Sequence, residues 1–506
     1  MYFDLSDELS HIIVPAFKRS FGTLSQQEFV YIVEAKRFKS IYDYPRNSKI
    51  IVLGEFSEQS ELFKIFNCSR INIADYDLAE LQSCDAASSL GEHTESLAFL
   101  KYHSHYLTSL IPDKLLRRPL CRFDFANEWN NFGFGRIRLD NNIWSASLGK
   151  RVDSEYELAT VYFSILSSRP LGTFLALRDY KEHSIFWCSR PVGLVDSVEW
   201  VIFETFLSTW RPDLTCVPRL CQSPFGFRCI TTMRLDCDEA VSTAEDLFHC
   251  YVRENIPLSL ALKTNFDFNN KDMNFIKEVR RQGGSILSHS HSHLRNWGGT
   301  SSSSAHDFIC SRDWFLNHLK CESEYVVSPF HCNSVEVLLG LCAAGARGLI
   351  SGIIANDPEF LMGRAGQLPF CQKGIVGSSQ QCMLHGDCYH QANNSISVYR
   401  DAFNLQYAVG GIFGYLDHPF SERYTYGWLN SNERNSAHIE LIKFMKHQEG
   451  VLFMNEIQLM NYLRFLNSIC IEKSNKTFTF YSDMSSEYAP AYEIRGELLK
   501  ITYKTI

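Results

Sequence analysis

From Cys229 onward the sequence keeps switching hydrophobic period. "CITTMRLD" has the pattern of a strand, "AEDLFHCYVREN" that of a helix, and the alternation continues through "LSLALKT", "KDMNFIKEVRRQ" and "SILSH". Strands separated by helical stretches imply parallel pairing through crossover helices, in an open sheet or a barrel. Both architectures gather ligands at the carboxyl ends of their strands. The residues just past each strand are therefore where chemistry is expected. The first two hundred residues also read as α/β, with "KIIVLGEF" a strand, "SEQSELFKIF" a helix and "SVEWVIFETFLSTW" an amphipathic helix. The proline-bearing "RPDLTCVPRLCQSPFGF" reads as a crossing between domains. With 506 residues the chain exceeds one core. The expected division is an α/β domain over 1–222, a parallel α/β unit over 223–470, and a small β appendage over 471–506, where "KTFTFYSD" and "YEIRGELLKITYKT" alternate with period two.

Composition removes several classes of function. The net charge is −8 and no basic run occurs, so a phosphate backbone has no electrostatic footprint to meet. The opening "MYFDLSDELSHIIVPAF" has acids where a secretory leader needs positive charge. The most apolar window, Val335 to Ala355, is broken by Glu336 and Arg347, which argues against a membrane span. Seventeen cysteines without a leader read as reduced thiols. The expectation is a cytoplasmic protein, with peripheral membrane contact left open.

Four stretches carry the candidate chemistry. "GGSILSHSHSHLRNWGG" places His289, His291 and His293 at the end of a strand; on a helical turn, His289 and His293 would share a face and converge on one ion, with His291 pointing elsewhere. A polar histidine loop is the alternative. In "TTMRLDCDEA", Arg234, Asp236 and Asp238 fall on one face of a strand, and charge crowded there must be paired or bind metal; a capped surface turn is the plainer reading. "VVSPFHCNS" ends a strand on Pro329, Phe330 and His331, and "GIFGYLDHPF" ends one on Asp417, His418 and Pro419. Beside these, "QCMLHGDCYHQ" reads as a substrate-lining loop or surface turn, with a second metal site as its sharper alternative. "GGTSSSSAHD" reads as a flexible loop. Arg364 is a candidate substrate contact, and Trp297 and Tyr415 are candidates to stack on a sugar ring. The Asp75/Asp77 pair reads as a solvated helix start, and Gly133–Gly135 as a turn.

In their order, the four stretches resemble the motifs of the polysaccharide deacetylase family, the metal-dependent de-N-acetylases of carbohydrate esterase family four. "HSHSH" is similar to its histidine motif, "RLDCDE" to a variant of its acidic motif, "SPFH" to its third motif with Ser328 where an arginine is usual, and "LDHP" to its last. The resemblance spans roughly Cys229 to Leu466 and implies a distorted parallel (β/α) barrel. It further implies Asp236 as general base, His418 as general acid, and Asp238, His289 and His293 as ligands of a divalent cation, zinc by default. Pro329, Phe330, His331 and Trp297 would bind or orient substrate, with amides near Phe330 and His331 as oxyanion donors, and Arg234 would replace the missing arginine. The implied activity is hydrolysis of an N-acetyl group from an amino sugar, on a cytosolic nucleotide- or lipid-linked intermediate of surface polysaccharide synthesis. A deformylase on a lipid-linked sugar and a catalytically silent carbohydrate-binding module are the competing readings.

Overall fold

Cys229–Cys237 is a wholly buried strand, and the largest sheet of the chain is built around it. The computed structural model describes residues 1–24, 29–72, 99–103, 109–110, 120–121, 143, 146–162, 169–239, 241–352, 363–371, 374–380, 382–421, 424–474 and 477–505. The Asp75/Asp77 pair, the 133–135 glycine turn and the segment before Gly363 lie outside them. The central strand pairs in parallel with Ser259–Leu262 on one side and Ile412–Asp417 on the other. Ile286–Ser288, Tyr325–Val327, Gly348–Gly352 and Val376–Gln380 extend the sheet, each parallel to its neighbour. Val376–Gln380 lies against Gly348–Gly352, while Cys382–Met383, almost continuous with it, lies against Ile412–Asp417. One run of chain thus reaches from near one end of the strand order, where Gly366–Gln367 pairs antiparallel outside Val376–Gln380, to the other end, and the sheet curls.

Helices Glu245–Arg253, Asn270–Arg281, Ser301–Leu319, Val335–Ala343, Ser397–Ala408 and Ser431–Lys446 fill the crossovers, as alternation demands. One expectation fails here. "GGTSSSSAHD" is not a flexible loop: its second part opens the helix Ser301–Leu319, started by a reciprocal capping box between Thr300 and Ser303. Four serines in a row hide the helix from propensity, yet Thr300-x-x-Ser303 satisfies its first free amides.

The first part carries an eight-stranded mixed sheet. Tyr2–Asp4, Val30–Glu34, Ser48–Leu53 and His183–Cys188 run parallel, and Pro170–Asp179, Glu157–Tyr162, Phe99–Tyr102 and Leu120–Cys121 continue it antiparallel. Helices Asp7–Phe21 and Trp200–Ser208 supply Phe17, Trp200 and Phe203 to its core. The final strands do not stand alone. Cys470–Ser474 pairs with Thr23–Leu24, and Ala491–Ile494 with Arg219–Leu220.

Arg364 is buried rather than turned toward substrate. Its Nη2 lies 2.6 Å from Glu204 Oε2, on the Trp200–Ser208 helix, and Arg219 Nη1 lies 3.2 Å from the same oxygen. Ser20 Oγ donates to Glu204 Oε1 at 2.6 Å. Burial opposes the charge on Glu204, but the two guanidiniums outweigh it and hold the carboxyl below its ordinary range. Among the described residues no helix is long and apolar enough to cross a membrane.

Candidate active site

Asp238, His289, His331 and His418 each lie just past a parallel strand of the curled sheet, at its carboxyl end. The chain after Ile286–Ser288 does not continue as a helix. Ser290 and His293 instead take left-handed backbone (φ 66° and 55°), which residues with a Cβ adopt at a cost. The turn is held from outside: the amides of His291 and Ser292 donate to the Asp307 carboxylate at 2.7 and 2.8 Å, and that of His293 to Ser290 Oγ at 2.8 Å. Convergence of the two rings, expected from helical spacing, is achieved by this strained turn. His291 faces away, its Nδ1 3.1 Å from Thr264 Oγ1.

His289 Nε2 and His293 Nε2 are 3.1 Å apart, and Asp238 Oδ1 lies 3.3 Å from the first and 3.1 Å from the second. Donor atoms about 2.0–2.2 Å from one ion at tetrahedral angles sit about 3.3 Å apart. Two imidazole nitrogens and one carboxylate oxygen in such a triangle fit one cation. Asp238 Oδ1 is moreover buried without a hydrogen-bond partner, a costly state unless something positive meets it. His289 Nδ1 lies 3.2 Å from the Val327 carbonyl; an N–H there leaves the Nε2 lone pair for the ion. Burial opposes the charge on Asp238, but the His289 and His293 rings beside it hold its carboxyl far below the usual range. Burial pulls His289 down, yet Asp236 and Asp238 raise it overall. The negative field that favours a proton on that ring equally favours a metal.

Asp236 is also buried, and Arg234 grips it: Nε reaches Oδ1 at 2.5 Å and Nη2 reaches Oδ2 at 3.2 Å. The far side of the guanidinium, Nη1, lies 3.7 Å from Glu456 Oε1. Burial alone would raise the Asp236 carboxyl, but Arg234 and His289 outweigh it and keep it ionised. Ser328, where an arginine is usual in the resembled motif, donates to Asn333 Oδ1 at 2.7 Å. His418 Nε2 lies 3.8 Å from Asp238 Oδ2, and the Tyr426 ring stacks on the His418 ring at 4.1 Å.

The neighbouring residues sort differently from expectation. Phe330 is 52% exposed, and its ring centre is 4.8 Å from that of His293. Pro329 and His331 are buried, and the His331 amide turns back on the Ser328 carbonyl at 3.3 Å, so it is spent on the turn rather than aimed at an oxyanion. Trp297 is 1% exposed, donates to Asn333 Oδ1 and packs with Phe308 and Val326, so it has no open face for a sugar. Tyr415 is likewise buried, its hydroxyl 2.8 Å from that of Tyr251.

Sequence reasoning missed two participants. "QCMLHGDCYHQ" is no surface turn: His385 follows the short strand Cys382–Met383, is buried, and sets Nε2 2.9 Å from His418 Nδ1. The apolar "CML" ahead of it was the available signal. Asp307, which pins the histidine turn, announced itself only through the cap of its helix.

No protein-family model and no curated protein matches this sequence. Solved structures similar to it include polysaccharide deacetylases and esterases of carbohydrate esterase family four, and also an allantoinase and a 4-alpha-glucanotransferase. One, assigned as a polysaccharide deacetylase of Mycobacterium smegmatis, is 13% identical with a TM-score of 0.39, over 48% of this chain and 93% of its own. The Xyl-CE4 domain of a multidomain xylanase from the hindgut metagenome of Trinervitermes trinervoides is 13% identical with a TM-score of 0.30, over 46% and 88%. A family 4 acetyl xylan esterase of Clostridium thermocellum, bound to cobalt, is 11% identical with a TM-score of 0.30, over 46% and 89%.

Proposed function

We propose that the chain is a metal-dependent hydrolase that removes the N-acetyl group from an amino sugar. The observation that carries this reading is the triangle of Asp238 Oδ1, His289 Nε2 and His293 Nε2, with an unsatisfied buried oxygen at one corner. Those three residues hold the divalent cation, zinc by default, which when bound brings a water pKa down to about 7 and polarises a carbonyl. Asp236, kept anionic and oriented by Arg234, accepts the proton of the attacking water. His418, on the other side of Asp238, hands a proton to the departing amine, which leaves poorly as an anion. Phe330 offers the open aromatic face beside the site, where a sugar ring can stack.

Residues 223–470 are read as a distorted barrel of the polysaccharide deacetylase type, with 1–222 as a separate α/β domain and 471–506 as its β appendage. The substrate is read as a nucleotide- or lipid-linked sugar of surface polysaccharide synthesis in the cytoplasm. Free thiols such as Cys188, Cys229, Cys237 and Cys382, all buried, suit a reducing compartment.

The test is metal analysis of the purified chain, then acetate release from UDP-N-acetylglucosamine and an N-acetylglucosamine oligomer. About one divalent ion per chain with acetate release supports the reading. Formate release from an N-formyl sugar alone would make it a deformylase, and a chain that holds no divalent ion would remove the enzyme reading altogether.

A further inference from the structure

His418 carries one ring nitrogen toward Asp238, and the other, Nδ1, faces a second imidazole rather than a carboxylate. His385 Nε2 lies 2.9 Å from that Nδ1 and 3.6 Å from Asp417 Oδ1. Its position is fixed by backbone on both sides. Leu384 N–H donates to the Leu416 carbonyl and Gly386 N–H to the Tyr426 carbonyl, each at 2.8 Å. A Cβ on Gly386 would sit 2.1 Å from the backbone carbon of Gly427, so the turn bearing His385 is pressed against the loop bearing Tyr426. Behind the pair, Asp417 Oδ2 accepts from Trp428 Nε1 at 3.2 Å and lies 3.0 Å from His438 Nε2, and His438 Nδ1 lies 2.9 Å from the Tyr251 hydroxyl. Arg434 Nη1 donates to the His418 carbonyl at 3.2 Å.

An imidazole that gives a proton from Nε2 and ends neutral must keep the proton on Nδ1, and that N–H needs an acceptor. Burial lowers His385 to about 3, so it stands neutral and can offer the Nε2 lone pair. Asp417 Oδ1, 3.6 Å from His385 Nε2, accepts the His418 amide at 2.7 Å. The geometry points to His385 as the positioning residue of this site: it accepts the Nδ1–H of His418 and so fixes that ring with Nε2 toward the Asp238, His289 and His293 triangle. The inference rests on the reading of His418 as general acid, and it places one further residue, from a distant stretch of chain, in the proton-donating arm.

The experiment compares zinc-loaded wild-type chain with His385→Leu and His385→Gln on an N-acetylglucosamine oligomer and on 4-nitrophenyl acetate. Nitrophenolate departs without protonation, whereas the sugar amine does not. His385→Leu should lower kcat for the amide by about 100-fold or more with KM little changed, and leave the aryl ester within about threefold. His385→Gln, whose side-chain oxygen can accept the same N–H, should recover part of the loss. Equal losses on amide and ester, or a change in KM alone, would overturn the assignment. If the wild-type chain cleaves only the ester, it is the proposed N-deacetylation that fails, and His385 is judged by nitrogen-15 histidine spectra. These should show His418 protonated at Nδ1 in wild type and not in His385→Leu. An unprotonated Nδ1 in wild type overturns the inference, as would two ions per chain falling to one in His385→Leu.

Discussion

Arg234 and Asp236, two residues apart on one strand, form a two-pronged ion pair sealed from solvent, with Glu456 on the far side of the guanidinium. The pair orients the carboxylate assigned as base and at the same time neutralises charge in the middle of a sheet. Arg234→Met strands Asp236 and Glu456 and should cost about 3–5 kcal/mol in a urea titration. Asp236→Asn added to it should restore part of that stability, since one stranded charge is gone. A double variant as unstable as the sum of the singles would refute the coupling.

The roles of the two aspartates separate in one measurement. Asp236→Asn should lower turnover by about 100-fold or more while the metal stays bound, and Asp238→Asn should weaken metal retention by about tenfold or more. Plasma emission analysis after dialysis against a chelator reads the second, and acetate release the first. The opposite pattern would exchange the assignments.

Phe330 and Trp297 should behave as opposites. Phe330→Ala, at an exposed ring beside His293, should raise KM several-fold with stability changed by less than about 0.5 kcal/mol. Trp297→Ala, in the core, should cost about 3–5 kcal/mol and leave the KM of the surviving folded protein alone. Thermal melts alongside saturation kinetics distinguish the two.

His331 supplies a pH signature. Burial lowers it to about 3, whereas in the unfolded chain it titrates near 6.5. Between those values the unfolded state binds more protons, so this residue makes stability rise with pH, by up to about 1.4 kcal/mol per unit, until about 6.5. His289, raised in the fold, tilts the other way. In metal-free protein, urea titrations from about pH 4.5 to 7 should therefore show a shallower rise for His331→Gln than for wild type. Parallel curves would mean that His331 is not held neutral.

The strand-end residues of the candidate site were legible because the alternation of strands and helices alone puts Asp238, His289 and His418 at one edge of a sheet, whatever the order of the strands. His385 was not, because its meeting with His418 depends on Cys382–Met383 pairing beside Ile412–Asp417, a neighbour relation that no local pattern encodes. Trp297 misled for a similar reason. It sits four residues from His293 in sequence, but left-handed backbone at Asn296 and Trp297 itself turns the indole inward. The route by which His289 and His293 meet was also hidden, since helical spacing and a strained turn give the same pairing.

Glu204 binds Arg364 and Arg219 in one sealed cluster, and Arg364 belongs to the stretch just before the Gly366–Gln367 strand of the curled sheet. A cut between residues 222 and 223 would leave Glu204 with Arg219 alone in one piece and Arg364 without its carboxylate in the other. The portion bearing the histidines is thus no portable module: moved to another carrier, it must bring its amino-terminal companion along, or trade that arginine for something greasy.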